Sequence, residues 1–186
     1  MAHIVLFHSI LGLRPVEGEI AAVFEADGHT VTLPDLYNGK SADDYDAGFA
    51  IKREISDEEI SARATAALES VPDDAVLSGV SFGTMMASRF AAKRPQTAGL
   101  LFFAGVAPWF AQPRAGLPVS AHVAKPDPFD DEDYFLDWLK TAGDADIALH
   151  RYEGAGHYFL DPSLNDYNEA AAKLCLDRSR AFLKSL

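Results

Sequence analysis

The chain has 186 residues, 48% hydrophobic and 24% charged, which suits one globular domain with a substantial core. A net charge of −12 opposes phosphate backbones and anionic membrane surfaces, so neither a nucleic-acid nor a membrane partner is expected. The single cysteine, Cys175, excludes an internal disulfide and a multi-cysteine metal site.

His3 to Phe7 reads as a buried strand. It is too short for a membrane span and lacks the charged start of a signal peptide, so a cytoplasmic location is expected. Residues 15–26 have helical spacing, begin with Pro15 and close at Asp27-Gly28. Residues 29–33 form the next strand, stopped by Pro34-Asp35. Residues 37–55 are the least regular stretch, mixing Gly, Asp and Lys with Tyr45, Phe49 and Ile51. They suit either a surface excursion that overhangs a site as a partial lid or an ordinary long connection.

Ser56 and Glu59 make a capping-box signature for a helix over 56–70. A strand over 75–80 and a helix over 84–93 follow, then apolar strands over 98–104 and 119–124. A helix over 131–141, a strand over 147–152 and a last helix over 165–183 complete the chain, with Cys175 expected in that helix as a structural, half-buried thiol that packs as a small hydrophobe. Six strands with helices between most of them predict a three-layer α/β/α sandwich on a mostly parallel sheet, a single domain over 1–186.

Ser81 lies in Gly79-Val80-Ser81-Phe82-Gly83, directly after a strand and before a helix. Open parallel sheets carry their sites at such strand ends. The two glycines have the spacing of a nucleophile elbow, where a side chain would collide with the adjoining strand or helix. The bland reading is an incidental Gly-Ser turn; a P-loop is excluded because no Gly-Lys-Ser/Thr follows.

A nucleophilic serine needs a base and an orienting carboxylate, in the chain order Ser, Asp or Glu, His. His157 fits the base, in the Gly-rich loop Gly154-Ala155-Gly156-His157 after the last strand. His3, His29, His122 and His150 fall in strand patterns, and His8 is placed to line a site without acting as base. The acid is expected after the strand ending near Ala124, where Asp127 stands between two prolines. Asp130 is the runner-up, though it suits a helix N-cap over Asp133, with Asp131 and Glu132 as first-turn charges. Asp161 follows the histidine and fits less well. The oxyanion hole is expected from the backbone N–H groups of Phe82 and Ile10, with Ser9 the second choice for the latter. Phe82, Trp109, Phe110 and Tyr158 are aromatic groups for a pocket wall or for plain core packing.

On these residues the sequence resembles the dienelactone hydrolase family of α/β-hydrolases. The resemblance runs nearly end to end, through Ile10-Leu11-Gly12-Leu13-Arg14-Pro15, Leu33-Pro34-Asp35-Leu36-Tyr37, the Ser81 turn, Asp127 and Gly154-Ala155-Gly156-His157-Tyr158-Phe159. It implies a minimal α/β-hydrolase fold, a Ser81–Asp127–His157 triad, and cofactor-free hydrolysis of a small ester or lactone. The best-known members of the family use a cysteine where this chain has Ser81, and an acidic residue where it has Ser9. They also hold the substrate carboxylate with arginines, one shortly after the histidine, where Tyr158, Phe159, Leu160 and Asp161 stand here. A thioesterase or acyltransferase using the same triad, and a non-catalytic binding protein of this fold, are the alternatives. A nucleotide-binding domain would need more glycine after the first strand than Gly12.

Overall fold

A computed structural model describes residues 1–186. Six strands form one sheet: β1 (His3–Phe7), β2 (Thr30–Thr32), β3 (Val76–Val80), β4 (Leu100–Phe103), β5 (Pro118–Lys125) and β6 (Asp146–Glu153). Their spatial order is β2-β1-β3-β4-β5-β6, with every pair parallel. Six helices complete the fold: α1 (Pro15–Ala26), α2 (Tyr45–Glu54), α3 (Asp57–Leu68), α4 (Phe82–Ala91), α5 (Glu132–Lys140) and α6 (Glu169–Ser185).

The strands are apolar on both faces because helices cover both. Alternation along each strand divides the side chains between two cores. Val5 and Phe7 of β1, with Leu100 and Phe102 of β4, meet Ile60, Ala64, Met86, Phe90, Phe135 and Trp138 of α3, α4 and α5. Ile4 and Leu6, with Leu101 and Phe103, meet Val16, Ile20 and Phe24 of α1 and Cys175 and Leu183 of α6. Cys175 is fully buried, deeper than the half-buried setting expected of it, because α6 turns it into the core against β1 and β4, and burial pushes its thiol pKa up.

Two elements depart from expectation. Residues 45–54, within the stretch read as irregular, form α2, capped by the Asp44 carboxylate, which accepts the Ala47 N–H at 2.8 Å. The last helix begins at Glu169 rather than near 165, because Asn168 caps it by accepting the Ala171 N–H at 3.0 Å. Before it, the Asp161 side chain holds a tight turn by accepting the Ser163 N–H at 2.9 Å. The chain leaves β1 for β2 on one side and β3 continues to the other, so the crevice lies above the carboxyl ends of β1 and β3.

Candidate active site

Ser81 is the N-cap of α4, with φ 49° and ψ −110°, in the sparsely populated positive-φ region. The conformation is held from several sides. Its N–H donates to the Phe103 carbonyl at 2.8 Å, and its carbonyl accepts the Thr84 N–H at 2.9 Å and the Thr84 hydroxyl at 2.7 Å. The flanking glycines are required by contact. A Cβ on Gly79 would overlap the Gly83 backbone, and one on Gly83 would overlap the Phe7 carbonyl. The α4 helix can therefore start directly against β1 and β3.

His157 enters from the loop after β6, with Nε2 2.9 Å from the Ser81 Oγ. Its Nδ1 lies 2.9 and 3.1 Å from the two oxygens of Asp127, which follows β5. A carboxylate only accepts, so Nδ1 carries the proton and Nε2 is free to accept from the serine hydroxyl. Asp127 Oδ1 also accepts the N–H of Phe129 at 2.9 Å and of Asp130 at 3.3 Å, which fixes the carboxylate's orientation. Both side chains are almost fully buried, 4% exposed for His157 and 0% for Asp127.

The His157 loop is pinned by Asp166. Its Oδ2 accepts the Tyr158 N–H at 3.0 Å and the Tyr45 hydroxyl at 2.6 Å, joining the loop to α2. Gly156 makes this approach possible, since a Cβ there would lie 2.6 Å from the Asp166 Cα. This role of Asp166 was not anticipated, because only the folded loop brings it to Tyr45.

Beside Ser81 is an open cavity of about 220 Å³, walled by Ile10, Tyr45, Phe49, Phe82, Val106 and Phe129 and lined also by Ala104 and Gly105. The Phe82 N–H is the first of α4 and has no partner within the helix. The Ile10 N–H makes no hydrogen bond within the chain, whereas Ser9 Oγ accepts the Leu11 N–H at 3.1 Å and so braces the loop. Two unpaired donors thus belong to residues that line the cavity together with Ser81, an arrangement suited to a developing oxyanion.

Several side chains lie elsewhere than expected. Of the four aromatics, only Phe82 reaches the cavity. Trp109 stacks on Trp138 at 5.0 Å, Phe110 lies under the Arg89 guanidinium, and Tyr158 is buried with its hydroxyl donating to Glu17 at 2.7 Å. Tyr45, Phe49 and Phe129 take their place. The N-cap of α5 is Asp131, accepting the Tyr134 N–H at 2.8 Å, so Asp130 is free to line the cavity. His8 does not line it. Its Nδ1 lies 2.7 Å from the Ser9 carbonyl and its Nε2 accepts the Leu36 N–H at 3.1 Å. Burial lowers its pKa and keeps it a neutral brace between two loops.

No lysine or arginine lines the cavity. Arg14 is nearly buried. It donates to Asp161 at 2.9 Å, to Asp43 at 3.1 Å, and to the Ala42 carbonyl. No group of three or more His, Cys, Asp or Glu side chains is arranged to hold a metal ion, and no helix is long and apolar enough to cross a membrane.

The model of the dienelactone hydrolase family matches residues 1–186. No curated protein matches the chain. Among solved structures, a dienelactone hydrolase-like promiscuous phosphotriesterase from metagenomic libraries aligns with a TM-score of 0.78 at 19% identity, covering 100% of this chain and 87% of that one. Thermogutta terrifontis esterase 2, phosphoramylated by tabun, aligns with a TM-score of 0.71 at 17% identity, over 99% and 83% of the two chains. Esterase PE8 aligns at 0.68 and 19% identity, over 99% and 92%. At these identities the likeness to each structure is one of fold.

Proposed function

The chain belongs to the dienelactone hydrolase family and is a carboxylic-ester hydrolase, and from that premise we propose that it works through an acyl-enzyme on Ser81. The observation that carries this reading is the continuous relay from Ser81 Oγ to His157 Nε2 at 2.9 Å and from His157 Nδ1 to Asp127 at 2.9 Å. His157 takes the hydroxyl proton as Oγ bonds to the ester carbonyl carbon, while Asp127 stabilises the imidazolium. The N–H groups of Phe82 and Ile10 hold the oxyanion. The bond to the alcohol oxygen then breaks, and that oxygen leaves with the proton from His157. Water next gives a proton to His157 and attacks the acyl carbon; the bond to Oγ breaks, Oγ recovers the proton, and the acid departs.

The strained Ser81 backbone supports this reading, since strain of this kind persists where the surroundings hold a group for use. No step draws on a cofactor. The substrate is small, as a cavity of about 220 Å³ admits, and the lack of a lining cation opposes the carboxylate-bearing lactones for which arginines are suited.

Ser81→Ala is expected to lower kcat for p-nitrophenyl acetate by at least about 10³-fold with folding intact. A fluorophosphonate probe should label Ser81 stoichiometrically in the wild type and far more slowly in His157→Ala. The choice of probe suits the fold, because Thermogutta terrifontis esterase 2 is phosphoramylated by tabun. Undiminished hydrolysis by Ser81→Ala, or labelling indifferent to His157, would overturn the mechanism.

A further inference from the structure

One charged side chain in the cavity has no part in the reaction. Asp130 lines the wall opposite no counter-ion, and its carboxylate makes neither a hydrogen bond nor an ion pair within the chain. The cations on the flanking elements are already engaged: Lys125 with Glu153 at 3.0 Å, and Arg151 with Glu132 at 2.7 Å. Burial and the neighbouring Asp127 carboxylate hold the Asp130 carboxyl above its ordinary range. A carboxylate in such a setting gains from any cation brought beside it.

The rest of the wall is rich in aromatic rings. Tyr45 and Phe129 meet edge to face at 5.3 Å, Phe129 packs against His157 at 4.5 Å, and Phe49 lies on the same α2 helix as Tyr45. Ring faces attract cations and shed water at little cost, and with a carboxylate they make a site for an ammonium group. An anionic substituent would instead face Asp130 with nothing to neutralise it. A net charge of −12 adds a long-range field of the same sign.

We propose that the cavity selects small esters carrying a cationic ammonium group, with Asp130 as the specificity-determining residue and Tyr45, Phe49 and Phe129 as the aromatic wall. The proposal rests on the reading of Ser81 as nucleophile. The group recognised is the ammonium itself, whether on the alcohol or the acyl side of the ester.

The test compares acetylcholine with 3,3-dimethylbutyl acetate, which has the same shape with carbon in place of the charged nitrogen. Acid release is followed at pH 8 and low ionic strength for the wild type and Asp130→Asn, with p-nitrophenyl acetate as a third ester. The wild type is expected to prefer the cationic ester in kcat/KM by about tenfold or more. Asp130→Asn should bring that ratio to within about twofold of unity, mostly through KM for acetylcholine. A merely structural role for Asp130 would lower both esters together and leave the ratio unmoved, which overturns the proposal.

A wild-type ratio near one, with p-nitrophenyl acetate still cleaved in a Ser81-dependent way, overturns the proposal and leaves the nucleophile reading standing. Absence of Ser81-dependent cleavage of all three esters overturns both. If Asp130→Asn does not fold, competitive inhibition of the wild type by tetramethylammonium chloride, beyond that of equal sodium chloride, decides in its place. Inhibition supports the ammonium site, and its absence refutes it.

Discussion

Glu17 is fully buried in the first turn of α1 without a cation to pair with. Its two oxygens accept the Tyr158 hydroxyl at 2.7 Å and the Arg14 N–H at 2.9 Å. Burial raises its pKa from the ordinary 4.5 to about 6, and these hydrogen bonds offset only part of that. Between those two values the folded chain holds a proton that the unfolded chain has lost. The stability tied to this group is therefore full below pH 4.5 and falls as pH rises through about 6, by about 2 kcal/mol. Glu17→Gln keeps both contacts, its amide donating to the Tyr158 oxygen and accepting from Arg14. Urea unfolding should show the variant gaining about 2 kcal/mol on the wild type between pH 4 and pH 7; a difference independent of pH would refute this account. At this scale the grouping of Ser81, Asp127 and His157 was legible because each follows a strand end and chain order restricts the choices. Asp130 was harder to place. Either of two adjacent aspartates satisfies the N-cap rule, and only the start of α5 at Glu132 gives the cap to Asp131.

The α2 helix was illegible for a different reason. Hydrophobic spacing finds helices that bury apolar side chains, but the only buried residue of α2 is Gly48. There the helix backbone rests against the loop after β1, and an added Cβ would lie 2.8 Å from the Ile10 carbonyl and 3.0 Å from Leu11 Cδ2. The signals that do exist are electrostatic: Asp44 as cap, Asp46 in the first turn, Lys52 and Arg53 in the last. Gly48→Ala should therefore lose kcat by tenfold or more as Ile10 shifts away from the serine, despite the better helix propensity of alanine. Gly18, inside α1, has nothing within 4 Å of an added Cβ. Gly18→Ala should raise the unfolding free energy by about 1 kcal/mol without changing kcat. Thermal unfolding and p-nitrophenyl acetate kinetics on the pair check both outcomes; equal behaviour of the two variants would contradict this account of α2. The six strands were legible because their apolar runs match the demands of a sheet buried on both faces.

Across the whole molecule, loops distant in sequence converge on Arg14. It joins the segment after β1 to Ala42 and Asp43 and, through Asp161, to the turn beyond His157. With side-chain exposures of 7% and 4%, the Arg14–Asp161 pair is a buried one, and removing one partner strands the other. Arg14→Ala is expected to cost about 3 kcal/mol in urea unfolding. A loss under about 1 kcal/mol would mean that the pair behaves as a surface contact. No spacing rule announces a contact between residues 14 and 161, since it depends on how the loops after β1, β2 and β6 fold over the carboxyl end of the sheet. The reacting side chains stand at the ends of β3, β5 and β6, whereas much of the cavity wall belongs to α2 and the turn before α5. Descendants of this protein can therefore exchange the wall and acquire new diets while inheriting the reaction unaltered. The Tyr45–Asp166 bond, the packing of Phe129 on His157 and the Phe129 and Asp130 N–H groups on Asp127 are the seams along which such an exchange must respect the triad.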